Sequence, residues 1–303
     1  MMSRLKSLLM NEQGNIAVTA ALFMVVLLGM VGLALDGGKI YAEKSSLQKA
    51  LDASVLGGVQ VIASKGEAEA VTVAKNLGAK NGHSLVGGTF STTGKSIKVS
   101  QEVKVPLTFA RFLGFNEATV SASAKAIAAP LKKGMRITPI AVEKDSLPSN
   151  TELKCENTGK NHGNCGYLAF DGRGASNLKD NIINGVEVSV GELGTVETEP
   201  GQKWGPVQDA FETLISRDAG KPHCQSAATA DKQCARVIYI VVIDTWEGVN
   251  GRDTVNAVGL AAYWLEGMPE KKRVTGKFLK MVTQGDSDES APDYGLYGVK
   301  LVE

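Results

Sequence analysis

The chain has 303 residues and a formal net charge of +1. There is length for one large or two ordinary domains, and no single-sign field of the kind that would make nucleic acid a main partner. Aromatic residues make up only 6% of the chain while glycine is abundant, so the body has to be assembled from helices and strands of small residues rather than around aromatic clusters.

The leader, residues 1–15, carries Arg4 and Lys6 against Glu12. From Ile16 to Leu35 the run IAVTAALFMVVLLGMVGLAL contains no ionisable residue, and Thr19 is its only polar side chain. A helix of about 20 residues, rising about 1.5 Å per residue, covers the roughly 30 Å hydrocarbon core of a bilayer and satisfies its own backbone polar groups there. The spacing therefore predicts a transmembrane helix over 16–35. The basic leader predicts a cytoplasmic N-terminus and export of everything that follows. A cleaved secretory signal is the rival reading, because Gly32 and Ala34 are small residues near the end of the run. Against it, the run is longer than a usual signal core and a helical pattern continues directly beyond it.

In residues 36–130 the apolar positions Ile40, Leu47, Leu51, Val55, Val59 and Ile62 recur at helical spacing, with Lys39, Glu43, Lys44 and Lys49 on other faces. One long helix is expected to leave the apolar run, its stripe packing on the protein's own sheet or on a partner helix. Gly57 and Gly58 weaken it locally, Ser64 to Gly66 is a break, and a second helix is expected over Glu67 to Lys80. Ile97 to Val105 alternates, with Ile97, Val99, Val103 and Val105 on one face and Lys98, Ser100, Glu102 and Lys104 on the other. That is a half-buried strand. After Pro106 a short apolar turn or helix, Phe109 to Phe115, leads into a second strand in which Val120, Ala122, Ala124 and Ala126 alternate with Ser121, Ser123 and Lys125. Pro130, Lys132, Lys133 and Gly134 form a polar break, read as the boundary of a second lobe.

That lobe, residues 131–303, opens with Ile137 to Val142 and is rich in Gly, Asn and Asp between Asn150 and Gly205, where long loops are expected. Val237 to Ile243 is a fully buried strand, and Val274 to Val282 a further strand. Val255 to Leu265 fits either a strand or a helix. The predicted fold class is α+β: an N-terminal transmembrane helix that continues into an exported helix-and-strand unit, followed by a mainly β outer lobe.

All four cysteines lie in this lobe, as Cys155 with Cys165 and Cys224 with Cys234. An even count outside the cytoplasm points to disulfides, for which two local loops are the simplest arrangement among those the sequence allows. Zinc is the alternative, because His162 lies between the first pair and His223 adjoins Cys224, although no Cys-x-x-Cys spacing is present. His83 stands in a polar stretch and has no assigned role. There is no Gly-x-Ser-x-Gly turn and no phosphate-cradling glycine loop, so no catalytic or cofactor-binding residue and no cofactor is assigned. Glu197 and Glu199 alternate and therefore point apart, which suits turn chemistry better than a catalytic pair. Asp286, Asp288, Glu289 and Asp293 lack the spacing of an EF-hand loop and read as a solvated segment. VIYIVVIDTWEG resembles the first strand of a von Willebrand factor A domain, but Asp244 is followed by Thr245, Trp246, Glu247 and Gly248 instead of the hydroxyl ligands that domain needs. Asp244 is read as a strand-end residue and no metal ligand is assigned.

The segment GNIAVTAALFMVVLLGMVGLALDGGKIYAEKSSLQKALDASVLGG resembles the N-terminal signature of TadE/TadG-like proteins of the Flp (tight-adherence) pilus assembly system. The resemblance rests on Gly14 and Asn15, the apolar run, Asp36 and Gly37 at its exit, Tyr41, and the helix through Leu47, Gln48, Leu51, Asp52 and Ala53. It continues through VPLTFARFLGFNEATVSASAKAIA, covering about residues 10 to 130, and the second lobe is similar to C-terminal extensions of TadG-like members. The resemblance implies a pseudopilin-like or accessory protein of the bacterial cytoplasmic membrane, acting in pilus assembly through contacts with pilus-assembly or envelope proteins, with a homo-oligomer left open and no catalytic residue. Processed pilins of this kind carry Glu five residues after the leader glycine, where this chain has Thr19 after Gly14. A buried carboxylate that pairs with a neighbouring subunit is the chemical reason for filament incorporation, so the departure favours an accessory, TadG-like protein. An exported, membrane-anchored adhesin or ligand-binding protein is the competing class.

Overall fold

The computed structural model describes residues 12–147, 152–154, 165–189, 194–201, 203–270 and 273–302. Helix α1, Glu12–Lys65, is unbroken for 54 residues, about 80 Å at the α-helical rise. Two kinds of surface divide it. Residues 16–31 are exposed on every face, and only 6% of the most apolar window is buried, which separates this helix from the core helix of a soluble protein. From Leu47 onward the same helix buries one stripe, Leu47, Leu51, Val55, Val59 and Ile62, at the spacing of a helix face.

Helix α2, Glu67–Lys80, folds back along this second half. The reversal is made at Gly66, whose φ of 85° is a left-handed conformation that side chains disfavour. The α2 face against α1 is Ala70, Ala74 and Gly78, all buried. Gly57 and Gly58 do not interrupt α1. They are contact positions: a Cβ on Gly58 would stand 2.8 Å from the Ala70 carbonyl oxygen and 3.2 Å from the Ala74 Cβ. The helix accepts two poor helix formers because the close approach of α2 requires them.

Twelve strands among the described residues form one hydrogen-bonded sheet. They are β1 Thr89–Thr93, β2 Ser96–Pro106, β3 Glu117–Glu143, β4 Glu152–Lys154, β5 Val186–Ser189, β6 Thr195–Glu197, β7 Val237–Ile243, β8 Thr254–Glu270, β9 Arg273–Leu279, β10 Met281–Val282, β11 Gly285–Ser287 and β12 Leu296–Leu301. The main path is β1-β2-β3-β7-β8-β9-β4. Strand β3 is its spine. Its first half pairs antiparallel with β2, Val99 opposite Ala124 and Val103 opposite Val120, and with β12 on its other edge. Its last residues pair parallel with β7, Ile137 opposite Tyr239 and Val142 opposite Val242. The segment Pro130 to Gly134 lies inside β3, and the cores change over there: Ala126 and Ala128 pack under α1, whereas Leu131 and Ile137 belong to the next cluster.

The C-terminal lobe is rich in β structure and is built around β7, every residue of which is buried. Alternate residues serve opposite faces, as the pleat demands. Val237, Tyr239, Val241 and Ile243 enter one core with Trp264, Trp246 and Phe170. Ile238, Ile240 and Val242 enter the other, closed by helix α3, Ala175–Asn184, through Leu178 and Ile182, and by helix α4, Trp204–Ser216, through Val207, Phe211 and Leu214. Helix α3 lies inside the stretch expected to be loop, and α4 begins at its end. Val255 to Leu265 is strand, in β8, paired on both sides with β7 and β9.

The tight helix pair sets a stability test. Gly58→Ala is expected to destabilise the full-length chain in detergent by about 1 to 3 kcal/mol through overpacking. Gly38→Ala, where a Cβ meets no atom within 4 Å, is expected to be neutral or to stabilise by up to about 1 kcal/mol through helix propensity. Denaturant unfolding of the two variants checks the contrast.

Candidate functional site

The most constrained constellation stands where α1 leaves its apolar run. Asp36 follows Leu35 directly, yet it is only 4% exposed. Its Oδ1 accepts a hydrogen bond from the backbone N–H of Thr108 at 2.7 Å, and its Oδ2 accepts from the N–H groups of Phe109 at 2.8 Å and Ala110 at 2.7 Å. Those donors open the short 3-10 turn Ala110–Leu113 at the tip of the β2–β3 hairpin. Three N–H groups without helical partners meet a carboxylate that would otherwise be buried alone, so each side satisfies the other. The Ala110 N–H foremost, then those of Thr108 and Phe109 with the Lys39 charge, outweigh the effect of burial and hold the Asp36 carboxyl below its ordinary value.

Two further contacts fasten the same loop. One turn along α1, the Lys39 ammonium donates to the Pro106 carbonyl at 2.7 Å. One turn back, Phe109 lies on Gly32, where an added Cβ would come within 2.7 Å of the ring. Gly32 is buried while its neighbours along the run are exposed. The hairpin tip is thus tied to α1 at three successive levels, by an aromatic ring, a carboxylate and an ammonium. Sequence reasoning had marked Asp36 at the exit and the apolar turn Phe109 to Phe115 separately, with nothing local to join them.

The described cysteines are bonded in disulfides. Cys224 and Cys234 form a disulfide, and both are buried in the core beside β7 and β8. Cys165 is also disulfide-bonded; Cys155 and His162 lie outside the described residues. The Trp264 indole N–H donates to the Cys224 carbonyl at 2.9 Å, and the Arg236 guanidinium stacks over the Trp264 ring at 4.8 Å. Arg236 is itself buried, donating from Nε to Leu265 O and from Nη2 to Glu266 O, each at 2.8 Å. Its backbone N–H reaches Asp218, whose other oxygen takes the Lys221 ammonium. Burial pushes the Asp218 carboxyl up, but Lys221 and the backbone N–H groups of Arg236 and Ala235 bring it below its ordinary value. Among the described residues, one group of three candidate ligands lies in metal-binding range, His223 with Cys224 and Cys234. Two of its donors are joined in the disulfide, which leaves them no thiolate to offer.

The remaining polar candidates are held apart. Asp244 pairs with Lys144 across the ends of β7 and β3, and Glu143 accepts the Trp246 N–H at 2.5 Å beside them. Glu197 is exposed and pairs with Arg173, whereas Glu199 is buried against Lys203. Asp288 binds its own turn at Ser290, Glu289 faces Lys300 at 3.4 Å and Asp293 pairs with Lys95. His83 meets the Ser46 hydroxyl at 3.0 Å. An open cleft of about 710 Å³ separates the end of α1, at Val61 and Lys65, from the disulfide loop at Ala230 and Lys232 and from Met281.

The clamp predicts a protease phenotype. Asp36→Ala should free the hairpin tip, so trypsin cuts after Arg111 in the variant and spares that bond in the parent chain, as read by mass spectrometry of the fragments. The folded-state pKa of Asp36 is the lower one, so its contribution is complete above the ordinary carboxylate range and is lost as pH falls through the depressed value. Protection of the Thr108 to Ala110 amides, corrected for intrinsic exchange, should follow that course.

No curated protein and no solved structure is matched by the chain. Residues 14–61 match the Tad family, described as "Putative Flp pilus-assembly TadE/G-like". The match takes in the apolar run, the Asp36 carboxylate and most of the buried stripe of α1, and over this segment the chain is similar to the TadE/TadG-like proteins of Flp pilus assembly.

Proposed function

We propose that the chain is a single-pass protein of the bacterial cytoplasmic membrane that serves Flp pilus assembly as an accessory, TadG-like component. Residues 1–15 stay in the cytoplasm, Ile16 to Leu35 cross the bilayer, and residues 36–303 are exported and act by binding other pilus-assembly or envelope proteins. The observation that carries this is α1. Its first part leaves Leu22, Phe23, Leu28 and Val31 more than half exposed, while the continuation of the same helix is locked into a folded core. Each such side chain removed from water contributes about 1.5 to 3 kcal/mol, so lipid stabilises the run by an amount on the order of tens of kcal/mol.

Two features support an accessory role over that of a filament subunit. Thr19 stands where a membrane-buried carboxylate would pair with a neighbour. The second half of α1 is occupied by its own α2 and β3 and is not free as a helix face for packing on other subunits. No catalytic step enters this reading. The second reading, an exported and membrane-anchored adhesin or ligand-binding protein, has the cleft between α1 and the disulfide loop as its binding place.

Deleting the gene is expected to abolish surface Flp pili and adherence. The full chain should restore both, while residues 36–303 exported behind a cleavable signal should not. Alkaline carbonate should leave the full chain in the membrane pellet. Normal pili in the deletion strain would remove the assembly role, and extraction by carbonate would remove the anchor.

A further inference from the structure

We propose that the tip of the β2–β3 hairpin, Leu107 to Asn116, is a second membrane contact, seated in the outward leaflet against the helix that spans it; the inference rests on the anchor reading above. The depth of the tip is set by α1. Phe109 packs on Gly32, which precedes Leu35 by three residues and so lies inside the apolar run, about 4.5 Å short of its end at the helical rise. Whatever medium surrounds Leu33 and Leu35 therefore reaches Phe109.

The side chains of the tip suit that medium. Phe112, Leu113 and Phe115 are 89%, 69% and 65% exposed, a density of bare apolar groups that an aqueous loop does not carry without a partner. Arg111 in the same turn and Lys39 at its base supply cations at headgroup level, where long basic side chains extend along apolar surface to reach phosphate.

The backbone gives an independent sign. Of the ten residues of the tip, seven have their N–H groups satisfied within the protein. Thr108, Phe109 and Ala110 donate to Asp36. Leu107 donates to Asn116 O, Phe112 to Phe109 O, Gly114 to Arg111 O and Phe115 to Ala110 O, at 2.9 to 3.1 Å. A loop in water has no need of such closure, whereas non-helical backbone at membrane depth must have it. Continuity with the span, exposed aromatic side chains and a backbone whose N–H groups are mostly paired within the protein all favour lipid as the occupant.

The test uses the full-length chain, reconstituted at low density in phosphatidylethanolamine and phosphatidylglycerol vesicles. Three single variants, Phe112→Cys, Leu28→Cys and Val86→Cys, carry a nitroxide; the described native cysteines are disulfide-bonded and do not compete for the label. Collision rates with oxygen and with a water-soluble nickel chelate are then compared. Leu28 marks the middle of the run and Val86, 87% exposed, marks the aqueous surface. The expected result is an oxygen-to-nickel ratio at Phe112 severalfold above that at Val86 and on the side of Leu28. A ratio at Phe112 equal to that at Val86, with Leu28 reading deep, overturns the second contact and leaves the anchor standing. Low collision with both reagents at Phe112 means that a protein surface or a second copy covers the tip, and this also overturns it. An aqueous reading at Leu28 overturns the anchor itself.

Discussion

The continuity of α1 is the constraint on which the rest of the molecule depends. One rod of 54 residues offers an all-round apolar surface over its first part and a single buried stripe over its second, with no proline to bend it. A weak place on such a rod is Gly37 and Gly38, two adjacent residues that each cost a helix interior about 1 kcal/mol relative to alanine and that, unlike Gly57 and Gly58, have no packing neighbour at the Cβ position. The bracing falls at that place. Asp36 and Lys39 flank the two glycines and grip the β2–β3 hairpin from either side, through the Thr108 to Ala110 N–H groups and the Pro106 carbonyl. The sheet is therefore fastened to the helix by a route that does not pass through the glycines, and the orientation of the folded part relative to the apolar run is fixed twice.

Strand β3 extends that rigidity into the C-terminal lobe. Its first half is alanine-rich, a composition with little intrinsic preference for strand. It is strand because β2 and β12 hold both edges while small side chains let α1 lie close. A bulge between Gly134 and Ile137 then re-aims the chain, and the second half becomes the parallel neighbour of β7. Two cores with different coverings share one strand, so the polar residues at Lys132 and Lys133 mark a change of partner without a break in the backbone.

What was legible in the sequence was what periodicity encodes. The stripe Leu47 to Ile62, the alternation Ile97 to Val105 and the apolar run Val237 to Ile243 each stand in the structure as the spacing required. Helices α3 and α4 were not read. The ten residues of α3 hold three asparagines and only two fully buried side chains, Leu178 and Ile182, which is too short a pattern to separate from loop. The buried set of α4, Val207, Ala210, Phe211 and Leu214, did carry a helical spacing, just beyond the Gly, Asn and Asp-rich stretch that ends at Gly205. Gly57 and Gly58 read as a local weakness because the helix against them, not their own neighbours, explains them. The Asp36 clamp joins residues more than seventy positions apart, and no local signal announces a contact of that kind.

The same logic places the disulfide loop. Residues around Cys224 and Cys234 are held to the sheet by the bond itself, by the Trp264 indole on the Cys224 carbonyl, and by Arg236 layered over Trp264 and bonded to two carbonyls of β8. Removing the indole or the guanidinium would leave buried carbonyl groups without their partners, and the covalent bond limits the loop further, so it tolerates little displacement. The loop also walls the cleft whose opposite wall is the end of α1. One wall is thus set by the helix that runs back to Asp36 and the apolar run, the other by a covalent bridge, so the cleft is bounded by two braced elements.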